Sequence, residues 1–256
     1  MHEVQCIIFD LDNTLINYGG VTPKAWQLTV NQLIQQYGLS VDPSLLAKTI
    51  IAINDALWED ESRRPRGNFS FDEVRRSIVR EALRKFDLDR AELVLFLVQH
   101  YGENKHAAVE VFPDVPKTLK ILGERGYQLA LLTNGDGDFQ REKLSRFHLE
   151  PYFDGIFIDG EQGVGKPERA AYEGVLHYFH CLPSQACMVG DHYLWEVVAP
   201  KQYGLHAVWV NRGELGRKGH EDILPDATIT QISECLDLLL NRTLYQRKIK
   251  KNCKIK

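Results

Sequence analysis

The run Val4-Gln5-Cys6-Ile7-Ile8-Phe9 passes directly into Asp10-Leu11-Asp12-Asn13-Thr14, so an apolar segment of strand length ends in two carboxylates one residue apart. An apolar run bounded by polar residues reads as a strand buried on both faces, the kind found inside a parallel sheet. In open α/β sheets the chemistry gathers just beyond the carboxyl ends of the strands, where Asp10 and Asp12 would lie. Crowded carboxylates repel and call for a hard cation, a shared proton or a cationic side chain. The same pentapeptide also suits a helix cap, because Asp, Asn and Thr all cap helices. The rest of the chain decides between the two.

Residues from about 18 to 107 carry helical periodicity. Thr22-Pro23 offers an N-cap and a proline at the first helical position, followed by Trp26, Val30, Leu33, Ile34 and Tyr37 up to Gly38. Asp42-Pro43 starts a second helix, Ser70-x-x-Glu73 reads as a capping box for a third, and a fourth begins near Asp89. Their apolar stripes read as helix–helix core. After Val111-Phe112-Pro113-Asp114 the texture changes. Tyr127–Leu132, Gly155–Ile158, Ala186–Val189 and His206–Val210 are strand candidates with helices between most of them. Such alternation predicts an α/β fold with a doubly wound, mostly parallel sheet. The expected division is a core of residues 1–17 and 108–243, an inserted helical segment at 18–107, and a basic tail at 244–256.

Composition narrows the partners. The chain has 256 residues and a net charge of −4, although Arg247, Lys248, Lys250, Lys251, Lys254 and Lys256 crowd its last ten positions. The remainder is therefore acidic, which argues against a nucleic-acid partner, and the tail reads as a solvated, frayed terminus. No apolar run reaches the roughly 18 residues of a membrane span. The five cysteines lack metal-ligand or disulfide-framework spacing, and no leader is visible, so a reduced cytoplasmic setting is expected.

Three further groups stand at predicted strand ends. Thr133-Asn134-Gly135 follows a buried strand and offers a hydroxyl, an amide and backbone donors to an anion such as phosphate. Lys166, in Gly163-Val164-Gly165-Lys166-Pro167, is a cation able to neutralise a carboxylate cluster. Gly190-Asp191 follows Cys187-Met188-Val189, with Glu196 five positions beyond Asp191. The run from Gly160 to Lys166 also satisfies Gly-x4-Gly-Lys, most of a P-loop. Pro167 replaces the hydroxyl that would bind a metal there, and Glu161 puts a negative charge into the supposed anion cradle, so we set that reading aside.

Taken in order, Asp10-x-Asp12-x-Thr14, Thr133, Lys166 and Asp191 with Glu196 resemble the four motifs of the haloacid dehalogenase-like (HAD) hydrolase superfamily. The resemblance covers the core, about two thirds of the chain, and implies that the helical insert is a cap. It further implies that Asp10 is a nucleophile and Mg²⁺ ligand. Asp12 would be the general acid and base, its carbonyl also binding metal. Thr133, Asn134 and Lys166 would hold the substrate's phosphate, with Asp191 and Glu196 completing the metal site. Glu196 stands where Asp is more usual, and Ala199-Pro200 replaces a small Gly-Ala pair. The family's dehalogenases lack an acid at the position of Asp12, because halide leaves without a proton, so a phosphatase is favoured. Leu131-Leu132-Thr133-Asn134-Gly135-Asp136 with Gln140-Arg141-Glu142-Lys143 is similar to the N-acylneuraminate-9-phosphatase branch and to related nucleotidases. The implied substrate is a small phosphorylated metabolite, a sugar phosphate or a nucleotide. A phosphomutase using the same aspartyl-phosphate, or a catalytically weak binding protein on this scaffold, remains open at this stage.

Overall fold

The computed structural model describes residues 4–59, 71–213 and 222–240. In chain order, β1 (Cys6–Phe9) and β2 (Ile16–Asn17) lead into four helices: α1 (Thr22–Tyr37), α2 (Pro43–Glu59), α3 (Phe71–Arg84) and α4 (Ala91–Ala108). There follow β3 (Glu110–Val111), α5 (Val115–Glu124), β4 (Gln128–Thr133), α6 (Gly137–Arg146), β5 (Gly155–Ile158), α7 (Asp159–Gln162) and α8 (Arg169–Tyr178). The chain then forms β6 (Ala186–Gly190), a π-helical stretch at Tyr193–Val198, α9 (Ala199–Gln202), β7 (His206–Val210), β8 (Ala227–Ile229) and α10 (Glu234–Leu240). These elements divide into two compact units, one of residues 1–17 with 110–256 and one of residues 18–109.

The first unit is built on a six-stranded sheet of order β5-β4-β1-β6-β7-β8, with every neighbouring pair parallel. β1 lies in the middle, flanked by β4 and β6, which is why Cys6, Ile7, Ile8 and Phe9 are all fully buried. The registers Phe9↔Leu131 and Phe9↔Val189 align the three strand ends, so Asp10, Thr133 and Asp191 emerge at one edge of the sheet. Two-stranded β2–β3 pairs Ile16 with Val111 and joins the points where the chain leaves and re-enters this unit. β8 carries little apolar signal in sequence. It is anchored from outside itself: Asp226 accepts from the Ala207 amide at 2.8 Å and from Lys201 Nζ at 3.0 Å.

The second unit is the four-helix set α1–α4 around one core of Trp26, Val30, Leu33, Leu46, Ile50, Val79, Leu83, Leu93, Leu97 and neighbours. Trp26 and Tyr101 stack at 3.7 Å. Asn104 donates to Thr29 Oγ1 and Gln32 Oε1, tying α4 to α1 by polar contacts as well. Gly38 ends α1 in the left-handed conformation, φ 60°, a place where glycine carries no Cβ penalty. Thr22 does not cap this helix: it is already the first helical residue, behind Val21. Asp42 does cap α2, accepting from the amides of Ser44 and Leu45. Ser70 of the expected capping box and the tail 244–256 lie outside the described residues. Among the described residues, no helix is long and apolar enough to cross a membrane.

Candidate active site

Asp10 leaves β1 and is buried. Its Oδ1 accepts from Lys166 Nζ at 2.6 Å, and the same ammonium donates to Glu196 Oε1 at 2.7 Å. Burial alone would strip the proton from Lys166. The charges of Asp10 and Glu196 outweigh that effect and hold the ammonium above its ordinary range.

Lys166 is placed by its backbone. Asn134 Nδ2 donates to the Lys166 carbonyl at 2.7 Å, and the Lys166 amide donates to Asn134 Oδ1 at 2.9 Å. Both ends of the Asn134 amide are thus engaged with the Lys166 main chain. The Gly135 amide likewise donates to Asp159 Oδ1, so Thr133-Asn134-Gly135 presents fewer free donors than the sequence suggests. The glycines of the P-loop-like run have a packing origin. A Cβ on Gly160 would lie 2.7 Å from Gly135 O and Gly137 N, and one on Gly165 would lie 2.8 Å from Asn134 Oδ1.

Glu196 is placed by an unusual helix. A π-helical stretch spends one extra residue per turn, and such stretches are frequent at functional sites. Here the Ala199 amide bonds back to Leu194 O, five residues earlier. The next carbonyl, that of Trp195, would need the amide of Pro200, and proline has none. Tyr172, buried in α8, fills the gap by donating its hydroxyl to Trp195 O at 2.5 Å. Opposite, a Cβ on Gly190 would overlap Glu196 Cγ, so only glycine leaves room for this carboxylate.

Asp191 follows β6. Trp209 Nε1 donates to its carbonyl at 2.8 Å, and Thr14 Oγ1 lies 3.4 Å from its Oδ1. Burial, reinforced by the charge of Asp10, raises the Asp191 carboxyl to about 7. The Asp10–Thr14 loop is held from its other side. Asn13 takes φ 64°, a conformation asparagine tolerates better than most residues. Arg212 donates to the carbonyls of Asn13, Thr14 and Thr230, with its guanidinium 3.6 Å from the centre of the Phe112 ring.

Asp12 sits on a different set of partners. Lys143 Nζ donates to both of its carboxylate oxygens at 2.7 Å, and Gln140 Nε2 lies 3.2 Å from Oδ2. The same Gln140 nitrogen donates to Thr133 Oγ1 at 2.7 Å, which links Asp12 and Thr133 through one side chain. Asp10, Lys166 and Glu196 therefore form one buried cluster, with the half-buried Asp191 at the neighbouring strand end and Asp12 and Thr133 joined through Gln140. The sequence reading gave no role to Lys143, Gln140, Arg212, Asp159 or Tyr172. Only the pair Gln140-x-x-Lys143 carried a sequence signal, a spacing that puts both on one helix face.

Among the described residues, no three His, Cys, Asp or Glu side chains converge as a ready metal site, because Lys166 stands between Asp10 and Glu196. The donors still suit magnesium, which keeps several waters and takes one or two carboxylates. Asp10 and Asp191 supply two acids, and Glu196 Oε2 is buried without a hydrogen-bond partner.

A family model described as haloacid dehalogenase-like hydrolase matches residues 4–204. The chain is 27% identical over 241 residues to a glyceraldehyde 3-phosphate phosphatase of Pyrococcus furiosus, covering 93% of this chain and 94% of that one. It is 27% identical over 218 residues to the N-acylneuraminate-9-phosphatase of Rattus norvegicus, covering 83% and 84%. Among solved structures, the HAD hydrolase YfnB of Bacillus subtilis, bound to magnesium, superposes with a TM-score of 0.71 at 20% identity over 93% of this chain and 99% of that one.

Proposed function

The chain belongs to the haloacid dehalogenase-like hydrolase family and is a hydrolase of phosphoric monoesters, and from that premise we propose a magnesium-dependent phosphatase acting on a small phosphorylated metabolite through an aspartyl-phosphate. The observation that carries this reading is the buried Asp10–Lys166–Glu196 arrangement at the end of the central strand, with a second acid two residues on. A lysine 2.6 Å from that carboxylate holds it in place and aimed, as a nucleophile requires.

In the first step Asp10 Oδ attacks phosphorus. A bond from Asp10 to phosphorus forms, the ester P–O bond breaks, and Asp12 gives its proton to the departing alkoxide. In the second step water attacks the same phosphorus and surrenders a proton to Asp12, the Asp10–phosphorus bond breaks, and inorganic phosphate leaves. Lys166 and Thr133 hold the phosphoryl oxygens and balance the charge that builds on them. Asn134 keeps Lys166 in place through its main chain. Asp10, Asp191 and the Asp12 carbonyl would hold magnesium, with Glu196 assisting through its second oxygen. When bound, the ion screens the repulsion between phosphate dianion and carboxylate.

The unit of residues 18–109 is the proposed cap, the part that distinguishes one phosphorylated metabolite from another. Sugar phosphates are the first substrates to test and nucleotides the second, since two relatives carry names of phosphorylated sugar-like compounds.

The test is phosphate release from p-nitrophenyl phosphate and from a panel of sugar phosphates and nucleotides, with magnesium and with EDTA, for wild type and Asp10→Asn. Magnesium-dependent turnover that disappears in Asp10→Asn is the expected result. Turnover that survives EDTA or Asp10→Asn would refute the mechanism, and silence across the whole panel would refute the substrate class.

A further inference from the structure

Helix α6 buries an odd set of residues. Its three buried side chains are Gln140, Lys143 and Leu144, so two of the three groups it turns inward are polar and one is a cation. Lysine is rarely fully buried unless paired, and sinking its charge is costly unless the partner geometry is good. The Lys143 side chain is only 3% exposed, whereas the side chain of its partner Asp12 is 25% exposed. An ion pair required only for folding would have no need to seat its cation beneath a partly open carboxylate next to Asp10 and Thr133. The ring of Phe139, in the first turn of the same helix, lies 4.8 Å from Lys143 Nζ. Gln140, one turn from Lys143, touches both Asp12 and Thr133.

We propose that Lys143, backed by Gln140, is a positioning residue for the proposed phosphatase reaction: it seats the Asp12 side chain and, when one Asp12 oxygen has taken up the proton destined for the leaving group, keeps its hold on the other. This rests on the reading of Asp12 as the proton donor. Lys143 Nζ, 2.7 Å from both oxygens, anchors the end of the Asp12 side chain, and Gln140 Nε2, 3.2 Å from Oδ2 alone, distinguishes the two oxygens and so restrains rotation of the carboxylate. The clamp comes from α6, directly after the end of β4 that carries Thr133 and the loop that carries Asn134, so the proposed proton donor and phosphate-binding groups share one support.

The distinguishing measurement is kcat/KM, which reports the first phosphoryl transfer, on two aryl esters. p-Nitrophenyl phosphate has a leaving group that departs without a proton, whereas phenyl phosphate needs one more. Asp12→Asn should lower kcat/KM for phenyl phosphate at least about tenfold more than for p-nitrophenyl phosphate. Lys143→Met should reproduce that bias, Lys143→Arg should restore part of it, and Lys143→Met should add little in the Asp12→Asn background. Circular dichroism checks that each variant is folded, with Lys143→Gln standing in if the Met variant is not.

If Asp12→Asn shows the bias and Lys143→Met lowers both esters equally or neither, the clamp is refuted while the role of Asp12 stands. If Asp12→Asn itself shows no bias, or wild type turns over neither ester, the reading of Asp12 falls and the clamp with it.

Discussion

Replacing Tyr172 by Phe removes one oxygen and no packing volume. That oxygen donates to the Trp195 carbonyl, whose helical options are both closed: the Ala199 amide is committed to Leu194 O, and position 200 is proline. Stranding a buried acceptor costs about 1–3 kcal/mol. For a chain of this size each kcal/mol moves the melting temperature by about 2–4 °C, so a fall of about 2–12 °C is expected for Tyr172→Phe in a thermal melt. The same logic supplies a rescue. Pro200→Ala restores an N–H five residues after Trp195, where a π-helical bond would use it. On its own that substitution should be near neutral or mildly destabilising, because it frees the unfolded chain. In the Tyr172→Phe background it should recover part of the loss, a positive coupling of about 0.5–1.5 kcal/mol, the worth of one hydrogen bond. Because the stretch carries Glu196, kcat should fall and recover in step with stability. A Tyr172→Phe protein that melts with wild type, or strict additivity of the two substitutions, would refute this account of the π-helical stretch.

Two further expectations follow from the same geometry. Gly190→Ala places a methyl group on Glu196 Cγ and must either displace Glu196 from Lys166 or shift β6; the expected cost is about 3–5 kcal/mol, and in a Glu196→Ala background most of it should vanish, read by chemical denaturation of the four proteins of the cycle. For Asp226, burial pushes the carboxyl up, but hydrogen bonds from His206, the Ala207 amide and Lys201 prevail and hold it at about 2. Its folded value lies below its unfolded one, so the stabilisation is present above about pH 4 and is lost as pH falls toward 2. Asp226→Asn should therefore cost about 2 kcal/mol at neutral pH, with the gap to wild type closing between about pH 4 and 2 in melts across that range.

Much of this molecule is legible in its sequence because burial on both faces of a parallel sheet leaves a plain mark. Five apolar runs announced β1, β4, β5, β6 and β7, and the groups just past β1, β4 and β6, Asp10, Thr133 and Asp191, are the ones the sheet brings to one edge. The division into a helical unit and a sheet-bearing unit shows in the switch from helical periodicity to alternating strands and helices. β8 escaped notice because Asp226, Lys201 and the Ala207 amide anchor it, contacts that short apolar runs do not encode. Thr22 looked like a cap because the residue type fits, but cap chemistry depends on where the helix begins, and here that point is Val21.

Residue types close in sequence fixed which groups could do chemistry at the strand ends, since a carboxylate or lysine there has few other uses. Their partners, by contrast, are long-range. Lys166 reaches Asp10 across 156 positions, Lys143 reaches Asp12 across 131, and Tyr172 completes a carbonyl that Pro200 left open. No local pattern specifies such pairings. They exist because the sheet order β5-β4-β1-β6 sets the segments that follow these four strands side by side. The long-range packing then settles which acid is paired with which cation and which hydrogen bonds remain to be made.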